Sequence, residues 1–517
     1  MDDDKVGTQA RTEKQHAFRG GLWLGASQII PLIGTTALSV VIGRFLGADQ
    51  LGLQSYINYV QALLVSLLFY ALTTATVQAI SSAVGAKDDE LFARLSRWSV
   101  LTNSLGGLVA GLVLMVFGLF SATPLPWFLV ALTALTNGIG WGFGAIAIAR
   151  DGWSRVAARR LVTQCLSMAL GIALVLAGFG INGVFVAALI AAVVTLILLV
   201  RLCGKIKPGV WMPFPAGLSR LWGPFVLMEA LSQIVTQRME FLFLGAYSTD
   251  VEIAAYSIPF MVIAAVSLIP QSVVSAGMPH VARSAGSGDV ARSADAMSVA
   301  IRVVAIFSVP LTAAVASVGP SIIIVLYGPD FKQSALLLPL MALCLLTSPI
   351  GALYVTFWSG SGRLRIPLIA TAIAGVIDLG LAWLLVPHLN ALGAALANLA
   401  GQTTMSILML VMTARATAHF PIPVLRWLGV LLFSVVVGAV TFAVTDLVGM
   451  TSSVQAILAC IAGMVVFLIP MIGFGYFVGF VDHSDGHWLR DTVPSRLSGV
   501  VRLLAGRHSS PAGEAAN

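Results

Sequence analysis

Charge is what this chain has least of. Asp, Glu, Lys and Arg make up 10% of its 517 residues, against about 25% in a soluble domain. Cysteine is scarce too. Cys165, Cys203, Cys344 and Cys460 lie far apart in sequence, each in an apolar run and without metal-ligand spacing, and they read as small buried hydrophobes. No cluster of His, Cys and Glu has the spacing of a metal site, so no metal or other cofactor is expected. No G-x-x-x-x-G-K-[ST] stretch occurs, which excludes ATP hydrolysis on a P-loop. No cleavable signal peptide is expected either: residues 1–19 are polar, and the apolar run that follows is too long for an h-region. The alternating ten-residue segments of a membrane barrel are missing as well.

What is present is apolar. A, V, I, L, M, F, W, Y and C supply 58% of the chain, with 50 glycines besides, and the mean hydropathy is +0.95. A soluble fold cannot hide that much, since even a 300-residue domain leaves about a quarter of its unfolded-chain surface wet. An ordinary soluble enzyme, a disordered chain and a nucleic-acid binder are all excluded. The expected class is an all-α polytopic membrane protein. Apolar runs bounded by charges or turn residues predict fourteen transmembrane helices, near 20–42, 56–82, 97–120, 125–149, 158–179, 182–203, 221–246, 254–281, 298–327, 333–359, 365–387, 391–414, 424–446 and 452–480. Each run holds the roughly 20 residues a span requires, and a lipid-exposed backbone must be helical.

The formal charge is +7 and the isoelectric point about 9.4. With both termini placed in the cytoplasm, 26 of the 29 Lys and Arg fall in inside loops, among them Arg155, Arg159 and Arg160. Arg44 and Lys332 fall outside, and Arg238 falls within a span. That asymmetry is the positive-inside pattern. It predicts a multi-pass protein of the bacterial cytoplasmic membrane. The outer connections are too short to fold into domains, and the tail from Asp482 is polar.

The two halves resemble each other. Leu46-Gly47-Ala48 has a counterpart in Leu244-Gly245-Ala246, Tyr56 in Tyr256 and Gly85 in Gly286. Gly152 and Arg155 correspond to Gly362 and Arg365, and Gly183 and Val184 to Gly393 and Ala394. Six is an even number of spans, so the halves form two parallel six-helix repeats, plus two extra C-terminal helices. The expected division is a cytoplasmic N-terminal segment (1–19), a first bundle (20–207), a second bundle (208–423), helices 13–14 (424–480) and a cytoplasmic tail (481–517). A paired-repeat membrane protein of this kind is expected to be a carrier rather than an enzyme.

Several motifs carry a family resemblance. Arg44-Phe45-Leu46-Gly47 with Leu51-Gly52 and Ser55-Tyr56 resembles the pattern that ends the first helix of polysaccharide-export flippases. Gln237-Arg238-Met239-Glu240 with Leu244-Gly245 and Ala255-Tyr256 resembles their seventh-helix pattern. Gly-Ile-Asn-Gly-Val (180–184) and Asn-Ala-Leu-Gly-Ala (390–394) resemble the turns before helices 6 and 12. The chain thus looks like a Wzx-like oligosaccharide flippase of the multidrug/oligosaccharidyl-lipid/polysaccharide exporter superfamily, over about residues 20–480. The resemblance implies transfer of an undecaprenyl-pyrophosphate-linked sugar chain from the inner to the outer leaflet. It also implies partnership with a polysaccharide polymerase and chain-length machinery. A lipid II flippase and a cation-coupled drug exporter of the same superfamily are the alternatives, and a non-transporting scaffold for polysaccharide synthesis is the alternative of another class.

Polar residues inside apolar spans are the site candidates, because a charge at a helix centre costs about 2.5–3.5 kcal/mol on insertion scales. On span 7, Glu229, Gln233, Thr236, Gln237 and Glu240 share one face of the helix. Glu229 and Glu240 are ion-coupling candidates and Gln233 a substrate contact. Arg238 is expected to meet the pyrophosphate, since its planar fork donates bidentate bonds; a structural ion pair is the competing reading. Arg44 is either a lumen cation or an interface anchor. On span 2, Gln54, Asn58 and Gln61 follow helical spacing. On span 4, Thr133, Asn137 and Trp141 share a face. Amides beside rings suit sugar hydroxyls, and they suit helix–helix bonding as well. Asp378, buried mid-span in helix 11, is a further coupling candidate.

Overall fold

The computed structural model describes residues 3–151, 153–203, 239–286, 290–360, 365–417, 424–449 and 452–477, with side chains from Ile30 on apart from 269–300 and some isolated positions. Every regular element among them is helical. The chain divides into two compact units, Met1–Ala230 and Leu231–Asn517.

Unit 1 contains α1 (Asp3–Val65), α2 (Ala71–Gly85), α3 (Asp89–Phe120), α4 (Pro124–Asp151), α5 (Trp153–Leu174) and α6 (Gly180–Cys203). α1 runs as helix from Asp3 through the first expected span. α1 is broken at Gly47, whose φ of 87° and ψ of 178° interrupt the ladder. A π-turn at Ser66–Tyr70 separates α1 from α2, and another at Val175–Phe179 separates α5 from α6. The N-terminus of α3 is capped by Asp88, whose carboxylate accepts from the Leu91 amide at 2.9 Å, with Asp89 and Glu90 in the first turn complementing the helix dipole.

α3 and α4 form the closest helix pair of the unit, and glycine is the reason. A Cβ on Gly138 would stand 2.6 Å from the Asn103 carbonyl oxygen and 2.7 Å from Gly107 Cα. One on Gly142 would stand 2.6 Å from Val100 Cα. Small residues let backbones approach where lipid gives helices no hydrophobic reason to associate. Ser99, Asn103 and Thr73 are hydrogen-bonded nearby, while Ser96 Oγ on α3 and Trp127 Nε1 on α4 are buried without a hydrogen bond among the described residues. Ser99 Oγ donates to the Gly142 carbonyl (3.2 Å), Asn103 Nδ2 to the Ser99 carbonyl (2.8 Å) and Thr73 Oγ1 to Asn103 Oδ1 (3.0 Å). The opposite face of α3 leaves Leu105, Leu112 and Leu119 exposed, as a lipid-facing stripe requires.

Unit 2 contains α7 (Glu240–Tyr247), α8 (Asp250–Gly286), α9 (Val290–Tyr327), α10 (Lys332–Ala342), α11 (Cys344–Gly360), α12 (Arg365–Thr417), α13 (Val424–Val448) and α14 (Ser453–Phe477). α12 breaks at Asn390, with φ 49° and ψ −127°. Gly180, its counterpart in the other half, takes φ 59° and ψ −151°. The Asn390 break is held by its neighbours: Ser248 Oγ donates to Asn390 Oδ1 at 2.8 Å, and the Ala391 amide donates to Glu252 at 3.1 Å. Gln333 Nε2 donates to the same Glu252 carboxylate at 2.8 Å. Three connections are thereby tied together at one end of unit 2. α13 and α14 expose long apolar faces that include Leu432, Val436, Val454 and Ile469.

Nine helices among the described residues are long and apolar enough to cross a membrane, or ten if the bent pair Pro329–Ala342 and Cys344–Val355 counts as one span. The expected count of fourteen is not reached there. Most of the span expected at 221–246 lies outside the described residues. The turns expected before helices 6 and 12 are sharp breaks in the helical run, made by two positive-φ glycines, Gly178 and Gly180, in the first and by Asn390 in the second.

Candidate functional site

Unit 1 encloses a cavity of about 460 Å³. Four helices build it, and helical spacing explains how. The second limb of α1 contributes Asn58 and Gln61, three residues apart. α4 contributes Thr133, Thr136, Asn137, Gly140 and Trp141, which follow one face. α5 contributes Arg160, Thr163, Gln164 and Ser167, a stripe at i, i+3, i+4 and i+7. α6 closes the wall with small residues, Ala188, Ala191 and Ala192, and with Thr195.

The threonines have spent their protons. Thr133 and Thr136 donate to the carbonyls of Leu129 and Leu132 (2.8 Å each). Thr195 Oγ1 bridges to Thr163 Oγ1 and to the Ala191 carbonyl (2.7 Å each). Their lone pairs remain available. Asn58, Gln61, Asn137 and Gln164 make no hydrogen bond among the described residues. A polyol needs this mixture of donors and acceptors.

Among the described residues one cation lines the cavity, and no carboxylate does. The guanidinium of Arg160 lies over the Trp141 ring, its Cζ 3.6 Å from the centroid, a cation–π contact. Beneath it, Gly144 leaves room: a Cβ there would stand 3.1 Å from Arg160 Nη2. The sequence reading counted Arg160 among inside-loop charges; it lies on α5 and lines the cavity, while Arg238, expected as the interior cation, lies outside the described residues. Arg155, Arg159 and Arg160 form one basic cluster in sequence, yet α5 starts at Trp153, so Arg160 is already two turns into the helix. The spacing of Arg160 with Thr163, Gln164 and Ser167 was the signal that could have found it.

The other expected site residues divide. Asn58, Gln61 and Asn137 meet in the cavity. Gln54 is buried and outside its lining. Arg44 is exposed near the Gly47 break, also outside the lining. Glu229, Gln233 and Arg238 lie outside the described residues.

Unit 2 has a polar centre of opposite character. Glu240 on α7 and Asp378 on the first limb of α12 are both 1% exposed. Their carboxyl groups are in electrostatic contact. Asn398, on the second limb of α12, donates from Nδ2 to Glu240 Oε1 at 2.9 Å. The Cys344 thiol donates to Asn398 Oδ1 at 3.6 Å. Glu240 Oε2 and Asp378 Oδ1 are buried without a hydrogen bond of good geometry among the described residues. Gly401 makes the knot compact, since a Cβ there would stand 2.8 Å from Asp378 Cβ. Glu240 and Asp378 were both expected as site residues. Asn398 and Cys344 were not, because only the packing of α11 and of the second limb of α12 brings them there. No group of three or more His, Cys, Asp or Glu with metal-holding geometry occurs among the described residues.

Comparison with known proteins supports the resemblance. A family model described as "Polysaccharide biosynthesis protein" matches residues 127–336. No curated protein sequence matches the chain. Among solved structures, an inward closed conformation of the lipid II flippase MurJ superposes with a TM-score of 0.66 at 16% identity, covering 92% of this chain and 99% of the other. An inward-facing multidrug resistance MATE family transporter of the MOP superfamily reaches 0.61 at 17% identity, covering 77% and 98%. An outward-facing one reaches 0.53 at 16%, covering 77% and 95%. The chain has the fold of these transporters, and its residues 127–336 match the polysaccharide biosynthesis family model.

Proposed function

We propose that this protein flips a pyrophosphate-linked oligosaccharide, carried on undecaprenol, from the inner to the outer leaflet of the bacterial cytoplasmic membrane. The observation that carries this reading is the cavity of unit 1. A space that offers unbonded amides, threonine lone pairs and, among the described residues, a single arginine beside apolar Val65, Leu196 and Leu199 has no use in a scaffold. It suits sugar hydroxyls next to an anionic linker. Arg160 would offset part of the hydration that the linker loses on leaving water, with Arg238 as a second cation. Arg44, Gln54 and Gln233 complete the proposed substrate contacts.

Energy would enter through unit 2. Two carboxyls sealed together cannot both be charged cheaply, so binding or release of a cation by Glu240 and Asp378, with Glu229 as a further candidate, would be coupled to the conformational cycle. Substrate and ion shift the same equilibrium only if each binds the two states unequally.

The topology proposed is fourteen crossings with both termini cytoplasmic. α12 has 53 residues and would measure about 80 Å as one rod, more than twice the ~30 Å hydrocarbon core. A helix of that length, broken at Asn390, supports two crossings rather than one, and α1 and the α5–α6 run support the same. Proposed partners are the bilayer, a polysaccharide polymerase and chain-length machinery.

The coverage of the MurJ structure favours one second reading, lipid II itself as cargo. The test is export in cells. Loss of the gene should stop surface polysaccharide while leaving cell-wall synthesis intact, and the chain should fail to replace a missing lipid II flippase. Rescue of the latter would overturn the oligosaccharide reading in favour of lipid II.

A further inference from the structure

The contact between Arg160 and Trp141 has a second meaning. A guanidinium 3.6 Å from the ring centroid is at van der Waals thickness, so it covers that face of the indole. Trp141 is the one aromatic side chain lining the cavity, and Asn137 and Gln164 flank the space beside it. A pyranose ring could stack on that face only where Arg160 now lies. Gly144 shapes the resting place, because any larger residue would crowd Nη2. No carboxylate in the lining holds the guanidinium there.

We propose that Arg160 rests on Trp141 as a removable cover, and that an anionic group on the ligand must draw it off before a sugar ring can stack on the indole. The physical basis is a ranking. A cation–π contact is weaker than a bidentate, charge-assisted bond between arginine and an oxyanion. An anion can therefore win the guanidinium from the ring. A neutral sugar, offering only hydroxyls and a ring face, cannot. The cavity thus selects ligands in which a negative group lies next to a pyranose, and it rejects neutral glycosides by keeping the stacking face occupied. This rests on the functional reading given above and names how the site chooses its cargo. Trp141 is the specificity residue and Gly144 the positioning one. The anion could sit in the lipid linker or on the sugar; both satisfy the same chemistry.

The test is binding to the purified full chain in lipid nanodiscs. Four probes are needed: farnesyl-pyrophosphoryl-N-acetylglucosamine, farnesyl pyrophosphate, a farnesyl N-acetylglucosaminide and a farnesyl glucuronide. The wild type should bind the first at least about tenfold more tightly than the neutral glycoside. In Arg160→Met the indole is uncovered, so affinity for the neutral glycoside should rise several-fold while the pyrophosphoryl sugar weakens. Trp141→Leu should bring the pyrophosphoryl sugar down to the affinity of farnesyl pyrophosphate alone. Gly144→Ala, milder, should move in the direction of Arg160→Met. A damaged fold would lower every affinity and could not produce the gain. If the wild type binds neither pyrophosphoryl probe nor the glucuronide, the functional reading falls and the cover with it. If it binds them but Arg160→Met and Gly144→Ala both fail to gain neutral-glycoside affinity, the cover alone is overturned. The ratio of the pyrophosphoryl sugar to the glucuronide assigns the anion to the linker or to the sugar.

Discussion

The two units solve the problem of polar groups in a membrane in opposite ways. Unit 1 leaves its polar groups open. Asn58, Gln61, Asn137 and Gln164 face a cavity with their bonding capacity unused, and the charge among them is positive. Unit 2 closes its polar groups into a knot, in which Glu240, Asp378, Asn398 and Cys344 are bonded to or packed against one another with almost no exposure, and the ionisable groups are acidic. An open neutral-to-basic lining suits a large, variable, anionic cargo. A sealed acidic knot suits something as small as a cation. The contrast rests on a few side chains in each unit.

The sharpest way to break that contrast is to remove the positive charge of unit 1. Arg160→Ala should abolish glycan export with the protein still present in the membrane, and Arg160→Lys should keep part of it, because charge survives while the planar fork does not. A charge-assisted contact is worth ~1.5–3 kcal/mol, so export in the lysine variant should fall by about tenfold or more. Export and membrane abundance measured together check both.

Next comes the acidic knot. Glu240→Gln keeps the shape and the acceptor for Asn398 but removes an ionisable group. Export should slow and stop responding to collapse of the ion gradient, measured by glycan translocation in vesicles with and without ionophore. Undiminished gradient dependence in both Glu240→Gln and Asp378→Asn would remove unit 2 from energy coupling.

Smaller effects come from the frame. Gly138→Ala must push α3 and α4 apart against backbone atoms, an overpacking cost of about 1–3 kcal/mol, seen as a lower melting temperature of the purified protein. The smallest contrast is between equivalent breaks. Gly180→Ala should cost ~1–3 kcal/mol in a backbone region that side chains avoid. Asn390→Gly exchanges the Ser248 hydrogen bond for an unstrained backbone and should stay within ~1 kcal/mol of wild type, by thermal unfolding.

The same residues show what sequence can reveal. Apolar runs mark helices because lipid imposes the helix locally, and the amides of spans 2 and 4 stand out because their neighbours are apolar. Arg160 was hidden by its company: beside Arg155 and Arg159 it looked like loop charge. The Glu240–Asn398 bond joins residues 158 apart in sequence, and no local pattern encodes such a pairing. Gly178, Gly180 and Asn390 read as loops because positive-φ residues punctuate turns and helix breaks alike.

The close pairing of α3 with α4 has a mechanical consequence. On α4, Gly138 and Gly142 face α3, while Thr133, Asn137 and Trp141 lie on an adjoining face centred about 120° around the helix at 100° per residue. The cavity's aromatic wall is therefore bolted to a plank two helices wide. The limb that carries Asn58 and Gln61 is mounted differently. It runs between the Gly47 break at one end and the π-turn at Ser66–Tyr70 at the other. Of the four helices in the lining, α4 has no break, whereas this limb has one at each end and α5 and α6 meet at another, Gly178–Gly180, so any change in the cavity's volume would fall to the α1 limb and the α5–α6 corner before it reached Trp141.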